Sequence, residues 1–486
     1  MPRSTRDRPI PALFLALTVA ASAAACGSSR DRVTATDPPG ADGTDVPITA
    51  TRLPTLTPPP ARSSGDPTAR PGESPSATPA PTPPLERVTG ELRVWTFAQG
   101  DEEVPIKAYL AEFAARNPGL QPKLNVIPED NYTAKVNTSL QAHDPPDIAI
   151  IEDMRWAKVG RVVRLNEHLE GWGVPVDDFN QGGMNRMALE ADSAKGVYGV
   201  GDFLGGYVMV FNKQMFDDAG LPHPAADRSM SYAELDTICR TLAKPAQDPS
   251  QAVYGCAVGD NIYSMEGDDV WGPDGRQVIG NADSQAMVDA FNIGTALIRD
   301  RMAPSGQVMD AIGGETDLFA LGKIAMTGTD FTEVEKYRAN GIDFGIIPFY
   351  AVEGPEPVLD TFTAPWGTFT ESRNPQAALA FLRFLATDAQ VMRMQISPDP
   401  PLRTSLAEAY RYGDDDPIKQ EYLALLGFAR PAVFVPNGVE AWDPGEVVRK
   451  MTIEDQTDAR PILDKMVADT QPELDRVWQD WEQLGQ

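Results

Sequence analysis

Two short clusters pair an aromatic ring with a hydrogen-bonding side chain: Trp95 with Gln99, and Asp153 with Trp156. A carbohydrate presents apolar C–H faces and a rim of hydroxyls, so a site for one needs flat aromatic surface beside carboxylates or amides. Catalytic chemistry has weaker support. No Gly-x-Ser-x-Gly nucleophile motif is present, and the three histidines, His143, His168 and His223, stand in unrelated segments. Together with two cysteines they offer no zinc-ligand spacing, so neither a metal nor a cofactor is expected. With 70 acidic residues in the chain, any one pair of carboxylates is a poor sign of a glycosidase, and no enzyme activity is expected. Glu266, Asp268, Asp269 and Asp274 lack the regular spacing and terminal glutamate of a calcium loop and read as a solvated hairpin. The formal charge of −28 disfavours nucleic acid and anionic ligands.

The elements that would hold the two clusters alternate between strand and helix. Leu92 to Thr96 reads as a strand, and Ile106, Tyr109, Leu110 and Phe113 recur at helical spacing behind Pro105. Lys123 to Ile127 is a second strand, residues 131–141 a second helix, and Asp147 to Ile151 a nearly continuous apolar run suited to a buried parallel strand. Such a βαβαβ unit binds ligands beyond the carboxyl ends of its strands, which directs attention to residues 96–101 and 152–156. Further on, Tyr207 to Phe211 reads as a strand, Ser231-Tyr232-Ala233-Glu234 as a capping box, and Asp283 as the cap of a helix burying Met287, Phe291 and Ile298.

The amino terminus speaks to location. Residues 1–25 carry Arg3, Arg6 and Arg8 and then an apolar run, the form of a secretory signal peptide too short to span a bilayer. The stretch closes on Ala23-Ala24-Ala25-Cys26-Gly27, which resembles the lipobox of bacterial lipoproteins and implies an acylated, palmitate-bearing Cys26 on the outer face of a cell membrane. Residues 26–87 then form a Pro-, Thr- and Ser-rich tether; with 14 of the 44 prolines between 27 and 86, it is expected to be extended and disordered. Cys239 and Cys256, left over in an oxidising compartment, are expected to form a disulfide.

Several later segments, in a shared order and spacing, resemble the family 1 extracellular solute-binding proteins of ABC importers, the group containing maltose- and trehalose-binding proteins. They are Asn117-Pro118-Gly119 behind Phe113; Pro146-Asp147-Ile148; Tyr198-Gly199; Phe211-Asn212-Lys213; Ala219-Gly220-Leu221; Gly322-Lys323 with Ala325-Met326; Asp343-Phe344-Gly345-Ile346; and Asn374-Pro375. The resemblance covers essentially residues 88–486. It implies an α/β, two-lobed periplasmic-binding-protein-like fold with a ligand cleft and hinge between the lobes. One lobe would comprise 88–203 plus 357–405 and the other 204–356 plus 406–486, with Gly205-Gly206 absorbing rotation at the first crossing.

The resemblance also adds ligand-binding candidates to Trp95, Gln99, Asp153 and Trp156. Asp202 and Phe203 sit at the crossing, and Asp330 and Phe331 stand where the family places an aromatic residue. Trp366 lies where the chain returns to the first lobe, Arg403 in a loop resembling one at the cleft entrance, and Trp442 where some members stack a tryptophan on sugar. Thr363-Ala364-Pro365-Trp366-Gly367 replaces the Gly-Gly pair of many members, and the loop after Met326 is shorter than in maltose binders. The function implied is that of a monomeric lipoprotein capturing a neutral mono- or oligosaccharide for ABC permease subunits. A polyamine, peptide or glycerophosphodiester is the alternative solute, and a secreted glycosidase the rival from another class.

Overall fold

The computed structural model describes residues 44–46, 48, 56–59, 87–258, 270–349, 357, 359–429, 433–454 and 456–485. Cys26, residues 1–25, and Glu266, Asp268 and Asp269 lie outside the described residues.

Alternation builds the first sheet. In β2 (Gly90–Thr96) Leu92, Val94 and Thr96 are buried on one face, while Arg93 and Trp95 face the other. Helix α1 (Glu103–Arg116) buries Ile106, Tyr109, Leu110 and Phe113, and α2 (Glu129–Gln141) follows β3 (Leu120–Val126). The short β4 (Ile148–Ile150) is buried on both faces. β2 pairs in parallel with both β3 and β4, the crossover arrangement expected from the strand-helix alternation. Two antiparallel edges complete the sheet: β1 (Thr44–Val46) beside β3, and β9 (Trp366–Gly367) beside β4, in the order β1-β3-β2-β4-β9. Part of the segment read as a disordered tether is therefore a strand. Ile48 packs on the same core, so this stretch gains both the hydrogen bonds and the apolar contact that its composition argued against.

The second lobe is organised on β5 (Gly205–Asn212), flanked antiparallel by β6 (Met326–Asp330) and β7 (Phe344–Ile347). Val208 and Val210 enter one core, Met209 and Phe211 the other, so a period of two feeds both faces. The chain crosses between lobes as an antiparallel ribbon: Val200 bridges Trp366, and Gly205 and Gly206 register with Phe362 and Thr361 of β8 (Thr361–Phe362). Gly205 and Gly206 do not have the positive φ that would need glycine. They are required by close approach, since a Cβ would lie 2.7 Å from the Phe362 ring or 2.5 Å from the Tyr422 hydroxyl.

The carboxyl-terminal helix, Arg460–Gln483, ties the lobes together. Ile462, Leu463, Met466 and Val467 enter the second lobe's core, whereas Leu474, Trp478 and Trp481 enter the first. The last turns of the segment assigned to the second lobe thus pack against the other one.

Helix Tyr232–Leu242 opens with the expected capping box of Ser231 and Glu234. Helix Gln285–Arg299 is capped by Ser284, not Asp283, whose carboxylate accepts from the Gly280 amide. Cys239 and Cys256 are bridged, with Cα atoms 5.3 Å apart and both residues fully buried. The bridge closes a separation of 17 residues, so the Cys239→Ser/Cys256→Ser double variant should lose roughly 3 kcal/mol in urea unfolding. Added reductant should lower the midpoint of the parent and leave the variant unchanged.

Candidate functional site

The carboxyl end of β4 lies against the crossing ribbon, where Ile150 registers with Trp366 and the Ile151 amide donates to the Pro365 carbonyl. Phe97 follows β2 and meets Tyr132 edge-on, with ring centroids 5.2 Å apart. Glu129 opens α2, and Glu152 stands just after β4. Arg186, on helix α5 (Gln181–Met187), holds its guanidinium 5.9 Å from the Phe362 ring centroid and acts electrostatically on Glu129, Glu152 and Asp360. Phe362 in turn lies 5.2 Å from Tyr207 of β5 and 6.0 Å from Phe203. One aromatic ring therefore joins a cation of the first lobe to a phenol of the second.

The carboxylates around this ring carry charge at a disadvantage. Burial raises Glu152, with Glu129 and Asp153 adding repulsion, and it pushes Asp360 up to about 6. Both are half-buried. Their backbones are tied to neighbouring segments: Asn437 Nδ2 donates to the Glu152 carbonyl at 3.3 Å, and the Tyr207 amide donates to the Asp360 carbonyl at 3.1 Å. Glu473 accepts from the Glu440 and Ala441 amides, fixing the loop that presents Trp442. Trp442 packs edge-on against Trp271 at 6.4 Å. Trp271 touches both lobes' cores.

Of the residues singled out from sequence, Gln99 is exposed, Phe203 is half-buried beside Phe362, and Trp442 is nearly buried beside Trp271. Others are taken up by the fold. Trp95 lies on the face of β2 under α2, with Lys135 Nζ 5.8 Å from its ring. Asp153 caps α3 (Met154–Lys158) and pairs with Arg155 at 2.6 Å, and Trp156 donates to Asn137 at 2.8 Å from a buried position. Trp366 is buried in β9, exchanging backbone hydrogen bonds with Val200. Phe331 is fully buried and stacks on Tyr422 at 3.8 Å. Arg403 is buried against Asp178 at 2.6 Å and the Ala386 carbonyl. Asp202 is buried too; it accepts from the Tyr109 hydroxyl at 2.8 Å and faces Arg393 at 3.9 Å.

Asp330 caps the turn after β6, accepting from the Thr332 amide and hydroxyl, each at 2.8 Å. Burial, then repulsion from Asp399, raises it from 3.8 to about 7. The folded chain thus binds more protons than the unfolded one between those values; its stabilisation is whole below the window and is lost as the pH rises through it. Asp330→Asn keeps the turn acceptor and removes the charge, so it should raise stability by on the order of 2 kcal/mol at about pH 8 and change little at about pH 4. Paired urea titrations at the two values measure the difference.

Arg186, Glu152, Asp360, Phe362, Tyr207 and Trp271 were not among the residues singled out from sequence. Glu152 stood within the loop flagged after the third strand, next to the Asp153 chosen in its place. Phe362 directly precedes the segment that departs from the Gly-Gly pattern. The others had no local signal, because ribbon and lobe-lobe contacts bring them together.

Residues 99–392 match the model of the family described as bacterial extracellular solute-binding protein. The chain belongs to that family. Solved structures of this solute-binding fold span nearly their whole length on it. The GacH receptor of Streptomyces glaucescens is 17% identical with a TM-score of 0.63, covering 81% of this chain and 100% of its own. Maltose-bound MalE3 of T. maritima is 16% identical at 0.63, covering 78% and 98%. An ABC substrate-binding protein from Listeria monocytogenes, in complex with cycloalternan, is 20% identical at 0.59, covering 81% and 100%. A putative binding protein of Brucella abortus is 24% identical over 342 residues, 68% of this chain and 80% of that protein. The Phe362 cluster lies at the ribbon where the chain crosses between the lobes. Among the described residues no helix is long and apolar enough to cross a membrane.

Proposed function

We propose that this solute-binding protein captures a carbohydrate between its lobes and delivers it to the permease of an ABC importer, while anchored to the outer membrane face through an acylated Cys26. The observation that carries the reading is the Phe362 ring set between Arg186 and Tyr207, with Glu152 and Asp360 within the electrostatic reach of the same guanidinium. An aromatic face offers apolar area to sugar C–H groups, and flanking carboxylates accept hydroxyl protons. Cycloalternan, maltose and acarbose, named with the structural neighbours, are carbohydrates and support this class.

Calorimetric titration of the mature chain against mono- and oligosaccharides should find a saturable ligand. Phe362→Ala should weaken it by roughly tenfold or more, the effect of removing an aromatic anchor from a desolvated pocket. Binding of amino acids or phosphates in place of any sugar would reject the reading. Radiolabelled palmitate should enter the parent and not Cys26→Ser.

A further inference from the structure

We propose that the tether is strapped to the first lobe through β1, so that the membrane anchor acts on the carboxyl end of that lobe's sheet. The proposal rests on the reading of Cys26 as the acylated residue and adds to it the point of attachment and the length of the leash. β1 runs antiparallel to β3, with Thr44 opposite Val126, Asp45 opposite Asn125 and Val46 opposite Leu124. Two residues further on, Ile48 packs against the first lobe's core. The segment is thus fastened twice, by backbone pairing and by apolar contact.

The register sets the direction. The chain meets the sheet at Val126, the last residue of β3, which is level with Thr96, the last residue of β2. It then runs toward the opposite end, where Gly90 registers with Leu120. An anchor acting through residue 88 alone would pull on that opposite end, where the Val88 amide donates to Asn117 Oδ1 at 3.0 Å. The strap moves the attachment to the end at which open α/β sheets bind their ligands. It also shortens the leash. Seventeen residues lie between Cys26 and Thr44, against 61 between Cys26 and Val88. Fully extended, these reach about 60 Å and about 200 Å respectively. Effective concentration falls roughly as the −3/2 power of leash length, so the strap raises that of the body at the membrane about sevenfold.

The docked strand is tested by cross-linking in the mature chain carrying Cys26→Ser, which keeps the whole tether without its acyl group. Asp45→Cys/Asn125→Cys puts thiols on directly opposed residues, within disulfide reach, and should close inside one chain under mild oxidation. Asp45→Cys/Gln121→Cys is four residues out of register and should stay reduced. Absence of the first cross-link, or its formation between two chains, would overturn the strap. The attachment is tested with the acylated chain on phosphatidylcholine vesicles that carry an acceptor dye on their headgroups. A donor dye is placed on Asp130→Cys or on Gln121→Cys, exposed positions just past the carboxyl end and near the amino end of β3. Energy transfer should be greater from position 130. Thr44→Pro/Asp45→Pro removes two strand amides at unchanged tether length and should abolish that difference, with a thermal melt confirming that the body stays folded. Equal transfer from the two positions in the parent would overturn the attachment and leave the Cys26 reading standing. Failure of the acylated chain to stay with the vesicles would overturn both.

Discussion

Replacing Arg393 with methionine is expected to lower stability by about 3–5 kcal/mol. The guanidinium lies 2.6 Å from Asp399 and 3.9 Å from Asp202, and it stacks over Phe203 at 4.2 Å. Asp399 is fully buried and Asp202 nearly so, and the Ser397 and Tyr109 hydroxyls that donate to them carry no positive charge to replace the cation. Methionine fills much of the volume, so the loss reports on charge more than on packing. Burial already raises Asp202, and Arg393 opposes that rise. Without Arg393 the folded state should take up protons more readily than the unfolded one, and the deficit should shrink as the pH falls toward the ordinary carboxylate range. Urea unfolding of the single variant and of Asp202→Asn/Arg393→Met/Asp399→Asn measures this, since removing all three charges together should recover most of the loss. A single variant as stable as the parent at neutral pH would show that the network does not hold the crossing.

Gly367→Val is expected to be nearly as damaging, with a loss of roughly 3 kcal/mol or failure to accumulate folded protein. A Cβ at Gly367 would stand 2.6 Å from the Tyr198 carbonyl and 2.5 Å from Ile151 Cγ1. One neighbour is backbone beside the crossing ribbon and the other is core, so neither yields without moving the return strand away from β4. Gly171→Ala is the control. It sits in helix α4 (Asn166–Trp172) with open space around it, and the change should be neutral or stabilise by about 0.5–1 kcal/mol. Thermal melts of the pair, with ligand titration of whatever folds, separate close packing at the ribbon from the general effect of losing a glycine.

The local elements of the first lobe were legible because they depend on nearest-neighbour chemistry. Alternation along Leu92, Val94 and Thr96, helical spacing from Ile106 to Phe113, and the Ser231–Glu234 capping box describe the same segments in sequence and in structure. The edge strand at Thr44–Val46 was not legible, because a three-residue strand inside Pro-rich sequence gains its stability from β3, which lies far along the chain. For the same reason the shared core of the terminal helix had no signal in its apolar spacing, which serves both lobes alike.

The cleft divides in a similar way. Residue type pointed to aromatic rings beside carboxylates, and strand order pointed to the loops after the first and third strands. Which of these side chains stay available depends on which find partners first. Asp153 is consumed by Arg155, Arg403 by Asp178, Asp202 by Tyr109 and Phe331 by Tyr422, all through contacts made on folding. Glu152, Asp360 and Phe362 remain at the meeting of ribbon and lobes. Family membership and the two-lobed α/β plan followed from the resemblance to a known family, and the disulfide pairing from there being two cysteines left in the folded part. Which side chains are left available could not be read in this way, because that is set by the neighbours that the fold brings to each.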